Sequence, residues 1–172
     1  MSARRFVLPE VDDTRALGTA LGGVLRAGDL VVLTGGLGAG KTTLTQGLGE
    51  ALGVRGAVTS PTFVIARVHP STVGGPALVH VDAYRLGGAL ELDDLDLDAS
   101  VEESVTVVEW GHGLAEGLAD DRLEVVLDVD PETERRTATV TGVGGRWAVD
   151  ATADAADADA PDPLAPLGGE PC

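Results

Sequence analysis

The segment Gly35-Gly36-Leu37-Gly38-Ala39-Gly40-Lys41-Thr42 fits the pattern G-x-x-x-x-G-K-[ST]. In this pattern the backbone N–H groups of a glycine-rich loop surround the phosphates of a nucleotide, and the lysine reaches the β and γ oxygens. Lys41 is the only lysine of the chain, whose other eleven Lys or Arg residues are all arginine. A compact ammonium suits such a loop better than a planar guanidinium. The segment therefore predicts binding of a nucleoside triphosphate.

The sequence on either side of residues 35–42 supports this prediction. Residues 29–34 are a short apolar run rich in β-branched residues, which is typical of a buried strand. Residues 42–52 carry leucine at positions 44, 48 and 52, a spacing that predicts a helix, and Gly53 is a suitable stop. The predicted order is strand, loop, helix. The positive end of the helix would face the phosphates.

Composition limits the class of protein. A chain of 172 residues is long enough for one well-buried domain. Its single cysteine, Cys172, excludes a disulfide framework and a cysteine metal cluster, which favours a reducing cytoplasm. No stretch approaches the roughly 18 apolar residues of a membrane span. The basic pair Arg4-Arg5 is followed by an apolar run too short for a signal peptide.

The net charge of −16 falls on two regions. Residues 151–172 are dominated by Ala, Asp, Pro and Gly, contain five acids and no basic residue, and are predicted to be a disordered tail. Residues 1–150 are predicted to be the folded domain, and they keep a charge of −11, that is −16 plus 5. A domain this acidic is not expected to hold a nucleic-acid backbone by itself, because phosphate contacts need Lys and Arg.

Further elements predict an α/β domain with a mixed, mainly parallel central sheet, flanked by helices and carrying antiparallel hairpins. Asp12 or Asp13 is expected to cap a first helix that ends near Arg26. The remaining predicted elements are a strand at 4–8, a hairpin of 62–68 with 77–83, a strand at 105–108, a weak helix at 111–118, a strand at 123–129 and a final hairpin of 137–143 with 146–149. Residues 90–100 alternate leucine with acids and fit either a short helix or a loop.

A phosphate-binding loop needs a carboxylate from a neighbouring strand end to hold Mg²⁺, directly or through water. Two acids qualify, since Asp82 ends the apolar run 78–82 and Glu109 ends the run 105–109. The residues alone leave open which of them serves the metal. His80 alternates to the opposite face from Val79 and Val81, and we expect a packed or half-exposed side chain rather than a base.

Four segments, in their order and spacing, resemble the TsaE family. They are the loop motif, Ser60-Pro61-Thr62-Phe63, His80-Val81-Asp82-Ala83-Tyr84-Arg85-Leu86 and Val108-Glu109-Trp110. This family comprises small P-loop ATPases of bacterial tRNA threonylcarbamoyladenosine synthesis. The resemblance runs from about residue 10 to residue 142. It implies ATP and Mg²⁺ as cofactors and TsaD and TsaB as partners. In the family, TsaD transfers the threonylcarbamoyl group to adenosine 37 of tRNA, and ATP hydrolysis by TsaE allows repeated turnover.

The resemblance also assigns roles to residues. It implies that Lys41 contacts the β- and γ-phosphates, that Thr42 and Glu109 hold Mg²⁺, and that Asp82 positions or activates the attacking water. Residues 59–62 would form a switch-like loop over the nucleotide. The expected nucleotide contacts are Gly35, Gly36, Leu37, Gly38, Ala39, Gly40, Lys41, Thr42 and Thr43, with Trp110 packed beside them.

Other readings of the loop motif compete with this one. GTPases select guanine with an Asn-Lys-x-Asp motif, and this chain has no asparagine and no second lysine. A small-molecule kinase would need lid arginines, whereas residues 90–103 are rich in acids and lack a basic residue. The kinase stays open as an alternative. So does a nucleotide-controlled binding module whose own hydrolysis is negligible.

Overall fold

The computed structural model of the chain describes residues 2–61, 65–84, 101–147 and 162–172, which form a sheet of eight strands with two α-helices. The sheet order is β3-β4-β5-β2-β6-β7-β1-β8. The strands are β1 (Ser2–Leu8), β2 (Leu30–Gly35), β3 (Ala66–His69), β4 (Ala77–Asp82), β5 (Ser104–Glu109), β6 (Arg122–Val129), β7 (Arg136–Val143) and β8 (Glu170–Pro171), and the helices are α1 (Val11–Val24) and α2 (Lys41–Leu52).

The predicted fold class, a mixed α/β sheet of the P-loop NTPase type, is confirmed. The central strands β4, β5, β2 and β6 are parallel to one another. The outer pairs β3–β4, β6–β7, β7–β1 and β1–β8 are antiparallel. Antiparallel pairs are thus four of the seven pairs of named strands in the described residues, a larger share than the sequence predicted.

The two faces of the sheet are covered differently. Leucines of α1 and α2, such as Leu21 and Leu48, pack with Val31 and Val107 on one face, in the larger of two apolar clusters. The other face buries Val32 and Val108 against residues 114–119. The predicted helix at 111–118 is wrong: this stretch contains turns, in which the Leu114 and Ala115 N–H groups both donate to the Gly111 carbonyl. Gly113, with a φ of +80°, interrupts any helical continuation.

The two helices touch each other through glycine. A Cβ placed on Gly18 of α1 would overlap the Leu44 carbonyl oxygen, and one placed on Gly47 of α2 would overlap the Arg15 carbonyl oxygen. The backbones can therefore approach closely only because both positions lack a side chain. This contact fixes the position of α2, and with it the position of the residues at its N-terminus.

The helix ends partly match the sequence predictions. Gly53, in the left-handed conformation, ends α2 as predicted. The predicted cap of α1 is wrong: Glu10 is the N-cap, and Asp13 lies in the first turn, where its carboxylate accepts the Glu10 backbone N–H at 2.9 Å. An acid three residues into the helix serves the same capping function from within the first turn.

The first predicted hairpin is confirmed in its described part, since β3 pairs with β4 in antiparallel register. The final hairpin is wrong over its described residues. β7 pairs with β6 and β1, and the residues after it form a turn. Arg146 there makes a two-pronged ion pair with Asp29, each bond 2.6 Å, and Trp147 is buried in the core. These contacts keep residues 146–147 from pairing with β7 as a strand. Residues 62–64, 85–100 and 148–161, including the ambiguous segment 90–100, lie outside the described residues.

The predicted disordered tail is wrong for residues 162–172. Leu164 is fully buried in the main core, and β8 pairs with β1. Asp162 accepts hydrogen bonds from the Ser2 hydroxyl at 2.7 Å and from the Arg4 guanidinium at 2.6 Å. Burial opposes ionisation of Asp162, but these bonds and the Leu164 N–H outweigh it and hold its pKa below the ordinary value. The prediction rested on a composition dominated by Ala, Asp and Pro, which did not indicate that Leu164 would be buried. The predicted domain limit at residue 150 stays a prediction.

Among the described residues, neither helix is long and apolar enough to cross a bilayer.

The glycine contact between the helices yields a matched pair of variants. Gly18→Ala must push α1 away from α2, and we expect a loss of about 1–3 kcal/mol in the free energy of unfolding. Gly23→Ala, in the same helix with open space around its Cβ position, should instead gain about 0.4–1 kcal/mol. Chemical denaturation measures both values. Equal effects of the two variants would contradict the glycine contact.

The packed C-terminal segment yields a second prediction. Leu164→Ala should lower the free energy of unfolding by about 2–5 kcal/mol, because it empties a site in the main core. Ala165→Ser, at the neighbouring exposed position, should change it by less than about 0.5 kcal/mol. Thermal and urea unfolding of the full chain test this. A Leu164→Ala protein as stable as the wild type would show that the segment is not docked in solution.

Candidate functional site

The loop of residues 35–42 follows β2 directly and leads into α2. Gly38 and Gly40 have φ values of +76° and +108°, which glycine adopts without strain. A Cβ on Gly35 would lie 2.7 Å from the Leu127 carbonyl oxygen, so this position also needs glycine. The turn brings the first N–H groups of α2, which have no partner within the helix, to face the same side as the loop. Such a helix N-terminus favours an anion.

Lys41 lies at the centre of this arrangement and is almost fully buried. Its Nζ donates to the carbonyls of Gly35 and Gly36 at 2.8 and 2.9 Å, and lies 4.1 Å from the centre of the Trp110 ring. Burial lowers the pKa of Lys41, and the charges of Glu109 and Asp82 partly offset that effect. The ammonium is therefore held by neutral carbonyls and an aromatic face, and an anion offers it a stronger, charge-assisted bond.

Asp82 and Glu109 end the neighbouring parallel strands β4 and β5. The two residues are direct partners in the strand register. Both side chains are buried on the face of the sheet that α2 covers. Glu109 Oε1 accepts a hydrogen bond of 3.2 Å from the Thr42 hydroxyl at the start of α2. The structure thus brings the two predicted carboxylates and the predicted threonine to one place.

Asp82 is held by groups from two other segments. Its Oδ2 lies 3.3 Å from the Ser60 hydroxyl, and its Oδ1 accepts the Tyr84 backbone N–H at 3.0 Å. Of the predicted switch-like loop, Ser60 therefore touches the site, while the Thr59 hydroxyl accepts a bond from Arg67 at 3.2 Å. The rest of that prediction, at residue 62, lies outside the described residues.

Aromatic side chains form one wall of the site. The Tyr84 and Trp110 rings lie 5.0 Å apart at an angle of 54°. Trp110 has a φ of +60°, which is uncommon for a residue of its size. Its backbone N–H donates to the Leu33 carbonyl at 2.9 Å. This strained turn after β5 aims the indole at Lys41. Tyr84, which is about two-thirds exposed, was not predicted as a site residue.

These groups enclose an open cavity of about 550 Å³. Its lining is Leu37, Gly38, Gly40, Lys41, Thr42, Thr43, Ser60, Asp82, Tyr84, Glu109 and Trp110. Three predicted contacts lie behind this surface: Gly35 and Gly36 give their carbonyls to Lys41, and Ala39 is buried in the core. The other residues predicted as nucleotide, metal or catalytic contacts line the cavity, and of the predicted switch-like loop Ser60 does so.

Sequence reasoning missed one buried contact of the site. His80 has no exposed surface, and its Nε2 lies 2.8 Å from Glu109 Oε1. It precedes Asp82 by two residues in a strand, so both side chains point to the same face. That parity was a usable signal, and the predicted packed environment is correct. What the sequence did not indicate is that the ring contacts Glu109.

The donor atoms suit one kind of metal. In the described part of the chain, no three His, Cys, Asp or Glu side chains cluster as a metal site would require. Thr42 and Glu109 offer a hydroxyl and a carboxylate, which are hard oxygen ligands. Mg²⁺ is often held by one or two carboxylates together with phosphate oxygens and water. The residues fit Mg²⁺ that arrives with a nucleotide, and they do not form a self-sufficient metal cage.

Comparison with known proteins identifies the family. The sequence model described as "Threonylcarbamoyl adenosine biosynthesis protein TsaE" matches residues 8–138. The chain belongs to the TsaE family. The protein of Streptomyces coelicolor named "tRNA threonylcarbamoyladenosine biosynthesis protein TsaE" is 66% identical over 138 residues, covering 78% of this chain and 93% of that protein. The Bacillus subtilis protein of the same name is 39% identical over 144 residues, covering 83% and 87%.

A solved structure extends this similarity to three dimensions. The crystal structure of YdiB from Bacillus subtilis superposes with a TM-score of 0.70 at 32% identity, covering 86% of this chain and 90% of that one. The family match includes the loop, Asp82, Glu109 and Trp110, and ends inside β7. The packed segment 162–172 lies outside it. The cavity is therefore built entirely from the part of the chain that defines the family.

Proposed function

We propose that this TsaE-family chain binds ATP with Mg²⁺ in the cavity and hydrolyses it during synthesis of threonylcarbamoyladenosine in tRNA. The observation that carries the proposal is the convergence of Lys41, Thr42, Asp82 and Glu109 around one cavity in front of a helix N-terminus. Family membership supplies the pathway. The absence of asparagine and of a second lysine favours ATP over GTP.

The phosphate end of the cavity assigns roles to three side chains. Lys41 exchanges the Gly35 and Gly36 carbonyls for phosphate oxygens, which makes stronger bonds because both partners are charged. Thr42 and Glu109 would hold Mg²⁺, which would supply positive charge against the negative charge of the phosphates. Binding the metal requires Thr42 to turn its hydroxyl from Glu109 and present a lone pair.

Asp82 holds the attacking water. Two of its acceptor sites take the Ser60 hydroxyl and the Tyr84 N–H, which fix the carboxylate in the cavity. A carboxylate has about four lone-pair sites, so it can still accept a hydrogen from water. Tyr84 and Trp110 form an apolar wall beside the nucleotide. Phosphoryl transfer depends mainly on such positioning and on charge stabilisation.

The acidic surface argues that other proteins hold the tRNA. A net charge of −16 repels a polyanion. The TsaE resemblance, and not the charge, supplies the partners: we propose that the chain acts with TsaD and TsaB, which carry out the chemistry on tRNA, and that its hydrolysis is weak without them. We propose the cytoplasm as the compartment in which the chain meets these partners.

Hydrolysis measured with and without partners tests the proposal. We expect weak ATP hydrolysis by the chain alone, a strong rise with TsaD and TsaB from the same organism, and none with Lys41→Ala. Thermal unfolding of Lys41→Ala should stay close to that of the wild type, because the described hydrogen bonds of the ammonium go to carbonyls of the loop and not to the core. Hydrolysis indifferent to the partners would instead favour a small-molecule kinase. ATP binding without hydrolysis in the full complex would favour a nucleotide-controlled binding module.

The two carboxylates should fail in different ways. Asp82→Asn should keep ATP affinity and lose about 10²-fold or more of the hydrolysis rate, because it removes the charge that orients water. Glu109→Gln should raise the Mg²⁺ concentration for half-maximal hydrolysis by about tenfold or more. Steady-state rates over a Mg²⁺ titration in the full complex distinguish the variants. Normal hydrolysis by both would show that the carboxylate roles are wrong.

A further inference from the structure

Among the described residues, both hydrogen bonds given to the Glu109 carboxylate fall on the same oxygen. Oε1 receives both the Thr42 hydroxyl, at 3.2 Å, and the His80 ring, at 2.8 Å. Since an ionised carboxylate only accepts, the hydrogen in the shorter contact is on His80 Nε2. The described residues thus place both donors on Oε1 and give no hydrogen bond to Oε2.

His80 is a rigid donor because of its place in the sheet. Its strand β4 lies between β3 and β5, where His80 is paired with Arg67 and Val107. The side chain has no exposed surface, so the ring cannot turn away to water. Thr42, by contrast, is at the first turn of α2 and must rotate its hydroxyl when it binds a metal. His80 is then the donor that keeps Glu109 in place.

Nδ1 is buried and has no hydrogen-bond partner among the described residues. The described hydrogen bonding of the His80 side chain therefore consists of its contact with Glu109. A single short bond to a carboxylate that lines the cavity is consistent with an orienting role.

We propose that His80 is a positioning residue that fixes the Glu109 carboxylate for Mg²⁺-dependent nucleotide binding. This inference rests on the proposed function. His80 does not touch the nucleotide or the metal; it acts through Glu109. Its effect should therefore appear in the part of nucleotide affinity that depends on Mg²⁺, and not in the part supplied by the loop and Lys41.

Calorimetry with a non-hydrolysable ATP analogue separates these two parts. The affinity in excess Mg²⁺ divided by the affinity in EDTA gives the metal contribution. His80→Leu removes the donor and fills its buried position with an apolar side chain. It should lower this ratio about 10–100-fold and leave the EDTA affinity unchanged. His80→Gln, whose amide can donate from about the same point, should keep the ratio within about a factor of three.

A double variant tests whether His80 acts through Glu109. Adding His80→Leu to Glu109→Gln should lower the ratio no further, because the group that His80 positions is already altered. An unchanged ratio in His80→Leu, an equal loss in EDTA, or a loss in His80→Gln as large as in His80→Leu would each overturn the inference and leave the proposed function of the wild-type chain standing. A wild-type chain that binds no nucleotide would overturn the proposed function and this inference with it.

Discussion

The parallel, in-register pairing of β2, β4 and β5 is the constraint on which the rest of the site depends. Asp82 pairs with Glu109, and Glu109 pairs with Leu33 just before the loop. Parallel strands end at the same edge of a sheet, so segments far apart in sequence meet there. A slip of one residue in β5 would turn Glu109 to the opposite face and away from Thr42.

The helix side of the site is held as firmly as the strand side. α2 lies against α1 through Gly18 and Gly47, with no side chain between the backbones. Thr14 of α1 also lies next to Gly40, because a Cβ there would be 3.2 Å from the threonine methyl. The mouth of the cavity is different, since Leu37 is 98% exposed and Tyr84 is 65% exposed. The cavity therefore combines a closely packed end at the loop with an exposed apolar mouth.

Residues 162–172 add to the family fold at the edge opposite β3. β8 pairs with β1, and the Cys172 N–H donates to Ala3 at 3.0 Å, so part of the β1 edge is covered. An uncovered edge strand invites pairing with another chain. Leu164 anchors this segment in the core, and the Arg4–Asp162 ion pair fixes its entry point. The segment is remote from the cavity, and its contribution is to the stability of the sheet.

Residue patterns were sufficient to predict the features that local chemistry sets. The loop glycines, the 3.6-residue spacing of α2, the stop at Gly53 and the strand-ending acids could all be predicted from residues 29–53, 78–82 and 105–109. The TsaE resemblance then indicated which distant residues belong together. The three-dimensional structure was needed to show that His80 contacts Glu109, that Trp147 and Leu164 are buried in the core, and that residues 111–118 form turns. A periodicity of two residues shows which side chains share a face, but not which strand lies beside it or which segment covers it. Those choices are made by burial and hydrogen bonding between segments far apart in the chain.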